Sequence, residues 1–124
     1  MPVSIEVRPI TVVETQSFVR SAEKLWSEDE IAALVDFVAC SPDAGTIIPG
    51  TGGVRKLRWA LPGGGKRGGA RVIYFYYRAD CPLYLLLAYA KARSTDLSPT
   101  EKASVSALAA AIGEAADARR DKEG

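Results

Sequence analysis

Val54-Arg55-Lys56-Leu57-Arg58-Trp59-Ala60, followed after a glycine-rich turn by Ala70-Arg71-Val72-Ile73-Tyr74-Phe75-Tyr76-Tyr77, is the part of the chain whose reading decides the fold. In the first segment Val54, Lys56, Arg58 and Ala60 alternate with Arg55, Leu57, Trp59 and Leu61. A strand sends successive side chains to opposite faces, so one set is largely apolar and the other carries cations. The second segment is dense in β-branched and aromatic residues, with Arg71, Ile73, Phe75 and Tyr77 on one face and Ala70, Val72, Tyr74, Tyr76 and Arg78 on the other. Neither set is polar throughout, which predicts burial on both faces. Pro62 to Gly69 joins the two strands as a hairpin connection rich in glycine, with Lys66 and Arg67 at its tip.

Charge is segregated around this hairpin. From Val54 to Arg93 there are nine Lys/Arg and one acid, Asp80, whereas residues 1–53 hold three basic and eight acidic side chains. The chain's formal charge of +1 hides this division, which points to a polyanion meeting one face.

Outward from the hairpin, Leu83 to Ala90 reads as the most hydrophobic strand, placed centrally, and Ile5 to Val13 as a first strand with Pro9 favouring an edge. Phe18, Val19, Ala22 and Leu25 recur at helical spacing between Thr15 and Leu25. Ser27-Glu28-Asp29-Glu30 is a capping box that opens a second helix, whose stripe is Ile31, Leu34, Val35 and Val38. Residues 43–53 read as a loop. Ser98-Pro99-Thr100-Glu101 is a second capping box, and Val105, Leu108 and Ile112 give the closing helix its stripe before a charged tail from Asp117. The expected fold is one α+β domain over residues 1–124: an antiparallel sheet of about four strands with an N-terminal helical hairpin and a C-terminal helix.

Composition removes several functions. There is no histidine, so the commonest general base and the commonest zinc ligand are missing. Cys40 and Cys81 have no metal-ligand or CxxC spacing and read as reduced structural thiols. The glycines before Lys66 lack the GxxxxGK[ST] pattern, which removes a nucleotide-triphosphatase. No apolar run reaches the length of a membrane span and no secretory signal is visible, so a cytoplasmic location is expected, with no membrane contact.

What remains is chemistry by cations. Paired strands lie about 4.8 Å apart, so Lys56, Arg58, Arg71 and Lys91 can converge on one surface and bind phosphate. Crowded cations depress one another's pKa, which can make a lysine a usable base near neutrality. An RNA 2'-hydroxyl could then attack the adjacent phosphorus, with arginines stabilising the pentacoordinate charge and a Lys, Arg or Tyr protonating the leaving oxygen. No cofactor enters. Aromatics lie among the cations, and stacking a base on such a ring is worth roughly 1–3 kcal/mol. Trp59 and Phe75 read as core residues; the tyrosines divide between core and stacking.

Gly50-Thr51-Gly52-Gly53-Val54-Arg55-Lys56-Leu57-Arg58-Trp59, the block from Gly65 to Tyr74, Tyr89-Ala90-Lys91 and Asp96-Leu97-Ser98 together resemble the HigB-type branch of the RelE/ParE toxin superfamily. The resemblance implies a microbial RNase fold of the RelE kind and a type II toxin that enters the ribosomal A site, cleaves messenger RNA and arrests translation. It also implies a cognate antitoxin, commonly a helix-turn-helix protein of the HigA kind, through which the complex reaches operator DNA. Carried over by position, it marks Lys56, Arg58, Arg71 and Lys91 as catalytic, with Lys56 or Lys91 as base and the arginines on the phosphate. Arg55 and Arg67 also match basic positions of the family and are read as RNA contacts, Lys66 joins them from its place at the loop tip, and Tyr74 or Tyr76 serves stacking or proton transfer. ParE-like members inhibit gyrase without cutting RNA, so a non-catalytic toxin is the alternative, and a plain RNA-binding module a third reading.

Overall fold

A computed structural model describes residues 9–62, 69–92 and 96–123 of the chain, with side chains through residue 121. The elements run β1 (Val12–Glu14), α1 (Gln16–Ala22), α2 (Glu28–Cys40), β2 (Thr46–Ile47), β3 (Val54–Trp59), β4 (Ala70–Tyr76), β5 (Leu83–Ala90) and α3 (Pro99–Glu123). The five strands form one sheet in the order β1-β5-β4-β3-β2. The sheet is α+β as expected, but it is mixed. β1 pairs parallel to β5 while every other pairing is antiparallel, because the chain reaches β5 from β1 through helices and a meander rather than a hairpin.

Several expected boundaries move. The first strand is confined to Val12–Glu14, with Ile5 to Arg8 outside the described residues. The segment read as a loop contributes β2, where Thr46 and Ile47 pair with Lys56 and Arg55. The central strand is β4, not β5. The closing helix continues through the charged tail to Glu123, and tertiary contacts along its middle support that length better than its own weak apolar stripe would.

Both capping boxes form. Ser27 Oγ accepts from the Glu30 amide and the Glu30 carboxylate accepts from the Ser27 amide. Ser98 and Glu101 make the same reciprocal pair at 3.0 and 3.1 Å. Thr15 caps α1 and its hydroxyl donates to the Leu85 carbonyl at 2.7 Å, tying the helix start to β5.

Two cores result, one per face. The α1–α2 side buries Phe18, Ala22, Trp26, Leu34 and Val38 against Ala70, Val72, Tyr74, Leu83, Leu85 and Ala88. The α3 side buries Val105 and Ala109 against Val54, Ile73, Phe75, Leu86 and Tyr89. A register shift between Ile73 and Tyr74 decides which β5 residues go where. Tyr74 opposes Leu85 but Ile73 opposes Leu87, so one extra residue on β5 reverses its phase. Leu83 and Leu85 therefore face α1–α2, while Tyr89, which strict alternation would put beside them, faces α3. Cys40 and Cys81 are both free thiols.

Candidate nucleic-acid site

The antiparallel register brings the expected cations together. Arg58 lies opposite Arg71, and Arg71 lies opposite Tyr89, giving a lateral row across β3, β4 and β5. Lys56 lies in the next row on the same side, opposite Ile73. Since Val54, Ile73, Phe75 and Tyr89 all pack under α3, this is the α3 face of the sheet. Arg58 is exposed, whereas Arg71 is only 7% exposed and donates from Nη1 to the Ala70 carbonyl at 3.3 Å. Like charges directly opposite each other in a sheet are unfavourable, so an Arg–Arg pair is a feature that a bound anion would relieve.

Lys91 follows β5 and its amide donates to the Gly69 carbonyl at 3.0 Å. Along the strand direction it lies on the far side of the arginine row from Lys56. Gly69 is required at this corner: its φ is +57°, and a Cβ there would meet the Trp59 carbonyl oxygen at 2.7 Å.

Lys56 is not a free ammonium. Its Nζ pairs with Asp96 at 3.0 Å, and Asp96 sits just before the capping box that begins α3. A groove of about 420 Å³ opens beside this pair, lined by Thr46, Ile47, Ile48, Pro49, Leu97 and Lys102 as well as Lys56 and Asp96. Lys102 is a cation that reading the sequence missed. The only signal for it is its place just after Glu101 of the second capping box, and nothing in the sequence says where that helix start docks.

Three expected site residues lie elsewhere. Tyr74 is fully buried on the α1–α2 face; its hydroxyl donates to the Pro42 carbonyl at 2.8 Å and accepts from the Gly45 amide at 2.7 Å. Burial raises its phenol pKa above the ordinary value. It cannot stack a base. Tyr76 also packs, half-buried, against the α1–α2 core. Arg55, paired with Tyr74 across the strands, donates from Nη1 to the carbonyls of Gly45 at 2.8 Å and Asp43 at 3.2 Å. Arg55 and Tyr74 thus clamp the 42–45 segment onto the sheet, a structural task rather than RNA contact. Gly45 fits there because a Cβ would meet Tyr74 Cε1 at 2.8 Å. Lys66 and Arg67 lie outside the described residues.

Arg78, another cation of the basic window, is spent on α3. It pairs with Asp80 and with Asp117, each at 2.7 Å, and Tyr77 donates to the same Asp117. Arg78 first, then Tyr77, holds the Asp117 carboxyl below its usual range.

The fold and this face define a small α+β domain whose sheet clusters cations on one side. The chain matches the family described as the RelE toxin of the RelE/RelB toxin-antitoxin system over residues 10–122, and it belongs to that family. It is therefore a toxin-antitoxin toxin of the RelE/ParE superfamily, whose RelE members pair with a cognate antitoxin and are typically endoribonucleases. Among the described residues, no helix is long and apolar enough to cross a membrane.

Proposed function

We propose that this toxin is a ribosome-dependent messenger RNA endoribonuclease of the HigB type, cutting by attack of the RNA's own 2'-hydroxyl without a metal ion. The observation that carries this reading is the Arg58–Arg71 cross-strand pair, with lysines before and after it along the strand direction.

In-line displacement at phosphorus needs a proton acceptor on one side and a proton donor on the other. Strand rise is about 3.4 Å per residue, so Lys56 and Lys91 flank the arginine row at distances their long side chains can span. Once parted from Asp96, Lys56 gives its ammonium proton to water, and the neutral amine then accepts the 2'-hydroxyl proton. The new O–P bond forms as the bond to the 5'-oxygen breaks, Arg58 and Arg71 hold the charge on the equatorial oxygens, and Lys91 protonates the departing oxygen. The products are a 2',3'-cyclic phosphate and a free 5'-hydroxyl. The proposed partners are the ribosome with its messenger in the cytoplasm and a helix-turn-helix antitoxin that carries the complex to operator DNA.

Primer extension on messages after induced expression tests this. Discrete cuts within translated codons, lost in Arg58→Ala, are expected. Intact messages with DNA damage would assign the toxin to gyrase inhibition, and continued cleavage by a folded Arg58→Ala, Arg71→Ala variant would remove the site.

A further inference from the structure

The face opposite the cations carries a second groove, of about 420 Å³, between the two N-terminal helices. Its apolar floor is Val19 from α1 and Ile31, Ala32 and Val35 from α2, and its rim is Glu14, Glu23, Glu28 and Asp36. Positions 28, 31, 32, 35 and 36 form a single stripe of α2, and the eight helical steps from 28 to 36 span about 12 Å, or about two turns. Val19 is 41% exposed although its neighbour Phe18 is fully buried. Among the described residues, none of the four rim carboxylates is in an ion pair and no Lys or Arg lines the groove.

We infer that this groove docks an amphipathic segment of the cognate antitoxin, with aliphatic side chains on the floor and Lys or Arg against the rim. Four carboxylates around an apolar strip repel RNA and attract a cationic peptide, so the occupant is protein and not nucleic acid. The groove is also remote from Arg58 and Arg71, which leaves the catalytic face to its own partner. The inference rests on membership of a toxin-antitoxin family and stands whether or not the chain cleaves RNA.

The test measures affinity between the full-length toxin and the purified product of the adjacent reading frame, at two salt concentrations. Ala32→Arg fills the floor from an exposed helix position, and Glu23→Lys with Asp36→Lys cancels the rim's net charge. Each change is expected to weaken binding at least about tenfold, and the cancelled rim to lose most of its salt dependence, with unchanged melting temperature and unchanged toxicity when no antitoxin is present. Affinity within twofold of the parent for both variants would overturn the proposal. So would a free-toxin dimer that Ala32→Arg splits while antitoxin affinity holds, since the occupant would then be a second copy. Loss of ribosome co-sedimentation with antitoxin affinity intact would assign the groove to a ribosomal protein instead.

Discussion

The two faces of one sheet solve different problems with the same strands. On the α1–α2 side, the polar groups that reach inward hold the chain in place: the Tyr74 hydroxyl has a donor and an acceptor, and Arg55 Nη1 has two carbonyls, although Arg55 Nε is left without a partner. On the α3 side the strands place Arg58 opposite Arg71 with Lys56 a row away, a concentration of like charge that the other face lacks among the described residues. A local departure of that kind from what the sheet alone would favour marks function more reliably than a packed core does.

The sharpest way to break the comparison is to exchange its consequences. Arg58→Ala is expected to leave urea denaturation within about 0.5 kcal/mol of the parent, as an exposed surface change, while lowering cleavage in a reconstituted translation assay by about 10²–10³. If the midpoint falls and cleavage does not, Arg58 is structural and the faces do not differ.

Tyr74→Phe should do the opposite. It strips the Gly45 amide and the Pro42 carbonyl of their partner in a buried place, at about 1–3 kcal/mol, and leaves cleavage by the folded fraction unchanged. A pH signature accompanies it. Because the folded phenol pKa lies above the unfolded value of 10.0, the neutral phenol's contribution is complete below that pH and is lost as pH rises towards the folded value. Tyr77, whose hydroxyl donates to Asp117, is shifted the same way, so the variant should lose part of the alkaline decline, not all of it. An unaltered alkaline decline in Tyr74→Phe would contradict this assignment.

Lys102→Ala sharpens the boundary of the cationic face. If the groove beside Lys56 receives an RNA phosphate, the variant should bind a non-cleavable RNA several-fold more weakly, with the slope of log affinity against log salt reduced by about one. An unchanged slope would confine the RNA to the arginine row.

How legible this was depends on which interactions set each feature. The capping boxes, the alternation of Val54 to Leu61 and the hydrophobicity of Leu83 to Ala90 are local, and they gave the helix starts and the strand faces. The convergence of Lys56, Arg58 and Arg71 followed from alternation plus a hairpin. The parallel pairing of β1 and the pairing of Thr46–Ile47 are long-range, and no short pattern encodes them. The β5 phase reversal was also hidden: eight apolar residues in a row give no alternation to read, yet it is what puts Tyr89 in the arginine row. Tyr74 was misjudged for a related reason. Composition ranks a tyrosine between core and platform, and only Pro42 and Gly45, brought near by the fold, decide for the core.

The smallest expected effect concerns how α3 is held over the cationic side. Beyond its apolar contacts, its later turns are pinned by Asp117, which receives Arg78 Nη1 at 2.7 Å and the Tyr77 hydroxyl at 2.8 Å. Asp117→Asn keeps an acceptor but removes the charge, so amides in the last turns of α3 should exchange several-fold faster, while those facing Val105 and Ala109 are unaffected. The pH dependence has a fixed sign. The folded carboxyl pKa lies below the unfolded value of 3.8, so the contribution is complete above that value and disappears as pH falls through the folded one. Parent and variant should therefore converge in strong acid and separate near neutrality. Divergence in acid would mean that the protonated carboxyl still anchors the helix, and the ion pair with Arg78 would then not be what closes this end of the face.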